Sequence, residues 1–272
     1  MSTILRGSLP NSIPDDSSAT LWRCHQDISA LDITSIASAI EDPDQLASSH
    51  LFKREKRRLI FRTSISRGDV AVKALPLNHF KARLRYRRYA YAEAIHLLEA
   101  AQRGLPVPEV LAYGEKRKWG LVSWNAVVMT FLPHEPMRDR LLAGASPEEI
   151  QHLLGRAGQL LIKLYHCGCN HIDFGPHAVM LHPEDPDQDH TLDLQYCRFD
   201  SGELRPETLA AVAGYFAWSV STNRDWISAG IMQEWFQQHL ALLSLESQLA
   251  DLLPIYDHAR AERASIGQRL SQ

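Results

Sequence analysis

Lys73 closes the β-branched run Val70-Ala71-Val72-Lys73. An ammonium at the end of an apolar strand is costly to bury unless a carboxylate meets it. Glu93 offers one: in the helical stretch that follows, it shares a side with Tyr86, Tyr89, Ala90, Leu97 and Ala100, which turns it inward. A second carboxylate, Asp173, stands in His171-Ile172-Asp173-Phe174-Gly175, after a glycine-stopped helix and before a short apolar run. There it can accept a hydroxyl proton or orient a nucleophile. A third, Asp193, lies among apolar neighbours in Thr191-Leu192-Asp193-Leu194-Gln195, where desolvation calls for a cation such as Mg²⁺. Taken singly, each has a plain structural reading: a solvated lysine, a water-facing Glu93 or Glu99, a polar loop, a turn aspartate. Taken in order, they are the parts that phosphoryl transfer needs.

The elements that must position them alternate early and turn helical late. Residues 59–65 and 70–75, joined around Arg67-Gly68-Asp69, read as a strand hairpin. A long helix is expected from Asn78 to Gln102, stopped by Gly104, with Pro106 and Pro108 breaking the chain beyond it. A second strand pair is expected at 120–122 and 126–131. A helix opens at Pro147-Glu148-Glu149 and runs to about His166. Residues 167–199 form an irregular polar block. From Pro206 onward helical segments recur, with Trp218, Trp226, Trp235 and Phe236 as core candidates. Residues 1–48 lack sustained periodicity and read as a loosely packed extension, although 28–40 can form a short helix. Strands first and helices later indicate an α+β protein of two lobes, divided as 1–48, 49–133 and 134–272.

The bulk numbers are those of an ordinary globular chain: 272 residues, 45% hydrophobic and 22% charged. A net charge of −3 argues against non-specific nucleic-acid binding, and no nucleic-acid partner is expected. Basic residues nonetheless cluster at Lys53–Arg58 and Lys81–Arg88, the second run suiting either solvent or an anionic acceptor or membrane surface. Four irregularly spaced cysteines make no disulfide framework and point to a reducing compartment. With neither a secretory signal nor a bilayer-length apolar run, a cytoplasmic location is expected, with peripheral contact at the inner membrane left open. The histidines between His166 and His190 fit no zinc-ligand spacing, and no nucleophile-elbow motif gives hydrolase chemistry a foothold.

The order and context of Lys73, Glu93, His171, Asp173 and Asp193 resemble the protein-kinase set of strand lysine, helix glutamate, H-x-D loop and metal aspartate. Finer detail is similar to the bacterial lipopolysaccharide-core (Kdo/heptose) kinases. Lys53–Arg58 resembles that family's entry segment without a glycine-rich loop. Arg103-Gly104-Leu105-Pro106-Val107-Pro108 resembles its helix end, and Asp193-Leu194-Gln195-Tyr196-Cys197-Arg198 its metal segment. The likeness spans roughly Leu51 to Leu243. It implies a protein-kinase-like fold with a small antiparallel-sheet N-lobe, one long helix in it, and a mostly helical C-lobe. It further implies ATP and Mg²⁺ as cofactors and a hydroxyl of a lipid-linked core oligosaccharide, or another anionic sugar, as acceptor. Lys73 and Glu93 would serve the phosphates, Thr130, Phe131 and Leu132 the adenine, Asp173 with His171 catalysis, and Asp193 the metal.

Three positions depart from the pattern. Ala178 stands where the second metal ligand is expected, and His177 lies one position early, on the opposite face if the segment is extended; either the loop shifts to bring His177 in as a metal ligand beside Asp193, or the second metal site is weakened. Ile172 replaces the usual arginine, which removes activation by a phosphorylated loop. Thr208 replaces a bracing helix aspartate. These departures keep one alternative in view, a weak or inactive pseudokinase that binds nucleotide or glycolipid; a second, a kinase for a small soluble alcohol, is disfavoured by the basic segments.

Overall fold

The computed structural model describes residues 20–26, 28–47, 50–55, 58–223 and 227–270. They form two compact units. The first takes the residues up to Leu98 together with Pro108–Leu132, the second Glu99–Val107 together with those from Pro133 onward.

The first unit is built on β1 (Thr20–Cys24), α1 (Ala30–Glu41), β2 (Leu51–Glu55), β3 (Arg58–Ile65), β4 (Gly68–Pro76), α2 (Phe80–Leu84), α3 (Ala90–Gln102, as far as Leu98), β5 (Val110–Lys118) and β6 (Leu121–Thr130). Its sheet is antiparallel, in the order β1-β5-β6-β4-β3-β2. In β4, Val70, Val72 and Ala74 alternate into the core, which fixes the register Lys73↔Val127 with β6. The β5–β6 hairpin closes through Trp119 and Gly120, both in the left-handed region at φ 53° and 74°. Two positive-φ residues are what a type I′ turn requires.

Three expectations need correction here. First, 20–24 and 30–41 are not loosely packed. Trp22 pairs opposite Gly114, its ring 6.0 Å from that of Trp124, and Ile36 and Ile40 are buried in the same core as Phe61 and Val128. Second, the long helix is broken: α2, a 3₁₀ turn at Tyr86–Arg88, then α3. Tyr89 takes φ −112°, ψ −129°, and the Tyr86 carbonyl accepts the side-chain amide of Asn125 at 2.8 Å. Third, the runs at 120–122 and 126–131 are one strand, β6, whose hairpin partner is β5. Buried Trp124 and Asn125 carry it through the polar interruption.

The second unit contains β7 (Glu135–Pro136), α4 (Met137–Ala143), α5 (Pro147–His166), β8 (Cys169–Asn170), β9 (Val179–Leu181), β10 (His190–Thr191), β11 (Arg198–Phe199), α6 (Pro206–Asn223), α7 (Ala229–Leu242) and α8 (Leu249–Leu270). Ser146 caps α5 by accepting from the Glu149 N–H, with Pro147 in the first turn, as the sequence indicates. Phe174, Phe216 and Trp235 stack in series in its core, and Phe236 stacks on Tyr256. Trp218 is half-buried, and Trp226 lies outside the described residues. No helix among the described residues is long and apolar enough to cross a membrane.

His239 on α7 is buried against Gly158 of α5 and donates from Nδ1 to the Trp235 carbonyl at 2.7 Å. Burial pulls its pKa below the ordinary histidine value, as it does for His171, His177 and His190. A depressed folded-state pKa means that the unfolded chain takes the proton first on acidification. Stability is therefore full at neutral pH and declines as pH falls below about 6.5, the unfolded-state value, toward the folded one. Unfolding midpoints measured against pH should show that decline, and His239→Gln should flatten it.

Candidate active site

In the first unit, Lys73 is 4% exposed and its Nζ lies 2.9 and 2.7 Å from the two carboxylate oxygens of Glu93. The strand supplies the lysine because its flanking residues Val72 and Ala74 face the core. α3 supplies the glutamate from its first turn, with Ala90, Ala94 and Leu97 buried around it. The pairing expected from the sequence is thus formed, and it is Glu93 rather than Glu99 that makes it. Glu99 instead holds Arg103 across one helical turn.

Thr130, Phe131 and Leu132 end the first unit. Thr130 N–H donates to the Glu109 carbonyl and Phe131 N–H to the Asp69 carbonyl, at 3.0 and 3.1 Å. The Phe131 ring is held between the Phe52 ring, 5.9 Å away and parallel, and the Arg62 guanidinium at 4.5 Å. Leu132 is left as the residue of the three whose N–H has no bond among the described residues.

The second unit gathers His171, Asp173, His177 and Asp193. The segment from His171 to Ala178 is two successive tight turns, closed by Phe174 N–H to His171 O at 3.0 Å and Ala178 N–H to Gly175 O at 2.8 Å. Leu192 ties this loop to the next segment at both of its backbone groups. Its N–H donates to the Ala178 carbonyl at 2.9 Å, and its carbonyl accepts from His171 Nε2 at 2.8 Å. Asp193 follows directly, in the left-handed region at φ 62°.

That bond fixes the His171 tautomer: a carbonyl only accepts, so the proton is on Nε2. The imidazole is fully buried, and burial keeps its pKa low and the ring neutral at pH 7. His171 therefore holds the loop in place. Asp173 is half-buried beside it. His177 sits within a turn, not in an extended segment, so the opposite-face geometry anticipated for it does not arise. Burial lowers its pKa, opposed by the nearby carboxylates of Asp193 and Asp173, which places all three groups in one electrostatic neighbourhood. The Arg138 cation also acts on it, from an α4 whose first turn is tied to the loop by Arg138 N–H to Pro176 O at 3.0 Å.

Among the described residues no three or more His, Cys, Asp or Glu side chains form a metal cage. Mg²⁺ does not require one: it is usually held by one or two carboxylates, with substrate phosphates and waters completing the shell. The donor set around Asp193 fits that chemistry. Ala178 is fully buried and offers no ligand.

Two supports were not foreseen. Arg103 Nη1 donates to the carbonyls of Cys167 and Asp200, and its guanidinium lies 5.0 Å over the Phe199 ring. It thus clamps the strands β8 and β11 that bracket the loop and the Asp193 segment. Arg156 forms a buried two-pronged ion pair with Asp189 and also donates to the His182 carbonyl. Neither partner set is close in sequence, and the only signal for Arg103 is a cation just before the glycine stop.

Gly168 carries the chain from α5 into β8 at φ 67°, and a Cβ there would lie 2.0 Å from the Gly202 carbonyl. Left-handed strain plus this clash makes Gly168→Ala destabilising by at least about 2 kcal/mol. A lowered urea midpoint with an unchanged slope would register it.

The sequence matches the phosphotransferase enzyme family (APH) over residues 48–243. Among solved structures, it is similar to one described as "WaaP in complex with acyl carrier protein", with 15% identity and a TM-score of 0.54, covering 82% of this chain and 91% of that one. At that identity the likeness bears on the fold, which is the protein-kinase-like architecture expected from the sequence. No curated protein matches the sequence. The match spans well over half of the residues, from the strands that carry Lys73 to the helices beyond Asp193, and on it the chain belongs to the phosphotransferase enzyme family.

Proposed function

We propose that this protein transfers the γ-phosphoryl group of ATP to a hydroxyl of a lipid-linked core sugar, Kdo or heptose, at the cytoplasmic face of a membrane. The observation that carries the reading is the loop of the second unit, where Asp173, His177 and Asp193 are held together by the bonds of Leu192 and His171. Lys73, fixed by Glu93, binds the α- and β-phosphates, and the Leu132 peptide receives the adenine edge. Asp173 accepts the acceptor's hydroxyl proton as that oxygen bonds to the γ-phosphorus and the bond to ADP breaks. Asp193, with His177 beside it, is the group that would hold Mg²⁺, which neutralises phosphate charge when bound. His171 positions the loop without touching substrate.

Arg138, whose charge reaches His177, supports an anionic acceptor over a neutral alcohol. An open cavity of about 710 Å³ beside the loop, lined by Asn170, Ile172, Arg205, Tyr215, Glu207 and Glu262, has the size for a sugar, although its two carboxylates lend no support to an anionic one. Mixing the purified protein with ATP and isolated core lipopolysaccharide tests the reading: phosphate should appear on the glycolipid. Mg²⁺-dependent phosphorylation of a small alcohol, with none on the glycolipid, would move the assignment to the soluble-acceptor class.

The buried methyl of Ala178, in place of a second metal ligand, favours a second reading, a nucleotide-binding member without turnover. ATP binding with no transfer to any acceptor, and no difference between wild type and Asp173→Asn, would establish it.

A further inference from the structure

The end of the first unit's sheet where β5 turns into β6 carries an unusual surface. α2 packs against β6, and the link leading into α2 is bonded to the same strand by Leu77 N–H to the Ser123 carbonyl, close to the β5–β6 turn. The Arg117 guanidinium, on the strand leading to that turn, lies 5.8 Å over the ring of Tyr86, just after α2. Three large apolar side chains stand in solvent there. Trp119 at the turn is 80% exposed, and Phe80 and Leu84, one helical turn apart on α2, are 64% and 58% exposed. Lys81, Arg85, Arg87 and Lys118 are exposed among them, with Lys118 Nζ 4.9 Å from the Trp119 ring. The acids beside it are engaged: Glu115 of β5 is buried against Tyr113 and Arg117, and Glu41 at the end of α1 pairs with Lys116.

Exposed apolar tips with cations around them, and the nearby carboxylates already neutralised, have the composition of an interfacial membrane anchor. Aromatic and leucine side chains enter the headgroup boundary while lysine and arginine meet anionic lipid. We infer that this face, formed by Phe80, Leu84 and Trp119 with Lys81, Arg85, Arg87 and Lys118, docks the protein on an anionic phospholipid bilayer. The inference needs nothing from the phosphotransfer reading.

Co-sedimentation with vesicles of phosphatidylcholine, with and without phosphatidylglycerol, tests it. Binding should require the anionic lipid and should weaken with added salt. Lys81→Gln with Arg85→Gln should weaken it roughly fivefold per cation removed, the equivalent of about 1 kcal/mol each. Phe80→Ser, Leu84→Ser and Trp119→Ser together should weaken it by about tenfold or more through lost apolar contact. All are surface changes, so unfolding midpoints should stay put. Trp119→Phe should keep binding yet abolish the lipid-induced blue shift of tryptophan emission. Failure to sediment with phosphatidylglycerol vesicles at low salt would overturn the proposal. So would sedimentation that both sets of variants leave unchanged. A concentration-dependent dimer that the same substitutions dissociate would assign the face to a second copy of the chain and overturn it too.

Discussion

Asp173→Asn is expected to lower phosphate transfer by about 10²–10⁴-fold while leaving ATP affinity and the unfolding midpoint close to wild type. The amide has the same shape as the carboxylate but is no base, so the acceptor hydroxyl keeps its proton as it approaches phosphorus. The loop should survive the change because its geometry rests on other bonds: His171 to Leu192, Leu192 to Ala178, and the two turns ending at Phe174 and Ala178. Single-turnover transfer and equilibrium nucleotide binding, measured on the same preparation, separate the two quantities. Equal losses in both would mean that Asp173 shapes the nucleotide site instead of acting on the acceptor.

The second large effect concerns the buried pair. Lys73→Met takes the ammonium away from the Glu93 carboxylate, which is 3% exposed, and breaking such a buried pair from one side costs about 3–5 kcal/mol. For a chain of this size that lowers the melting midpoint by roughly 10 °C. Replacing both partners, Lys73→Met with Glu93→Leu, removes the buried carboxylate as well and should recover most of the stability. Nucleotide binding should not return if the Lys73 ammonium meets the phosphates as proposed. Stability and function thus part company in the double variant. Recovery of both would reduce the pair to a structural feature.

Much of this site was legible from local sequence. A β-branched run ending in lysine and a glutamate in an apolar helical row are short-range signals, and both side chains lie where those signals put them. The start of α5 was equally plain, since a serine cap, a proline and two acids write a helix start into consecutive residues. The features that escaped depend on partners distant along the chain. The helix breaks near Tyr89 beside an Asn125 amide that takes the Tyr86 carbonyl, thirty-nine residues away. Thr20–Cys24 is a strand only because β5 pairs with it, and five residues without alternation give no hint of that. Whether the segment around His177 is extended could not be read from its residues, and the Ala178–Gly175 bond makes it a turn, which sets the direction of the imidazole. Arg103 and Arg156 act through carbonyls and a carboxylate supplied from far segments, so their types alone revealed nothing.

One titration asks whether Lys73 and Asp193 serve the same nucleotide. Calorimetric binding of ATP, with and without Mg²⁺, to the wild type and to Asp193→Asn, Asp173→Asn and the Lys73/Glu93 double variant compares the three groups on one ligand. Mg²⁺ should enhance binding, Asp193→Asn and the double variant should each weaken it by about tenfold or more, and Asp173→Asn should preserve it. Wild-type protein that takes up no ATP, or binding indifferent to both the lysine and Asp193, would contradict that expectation.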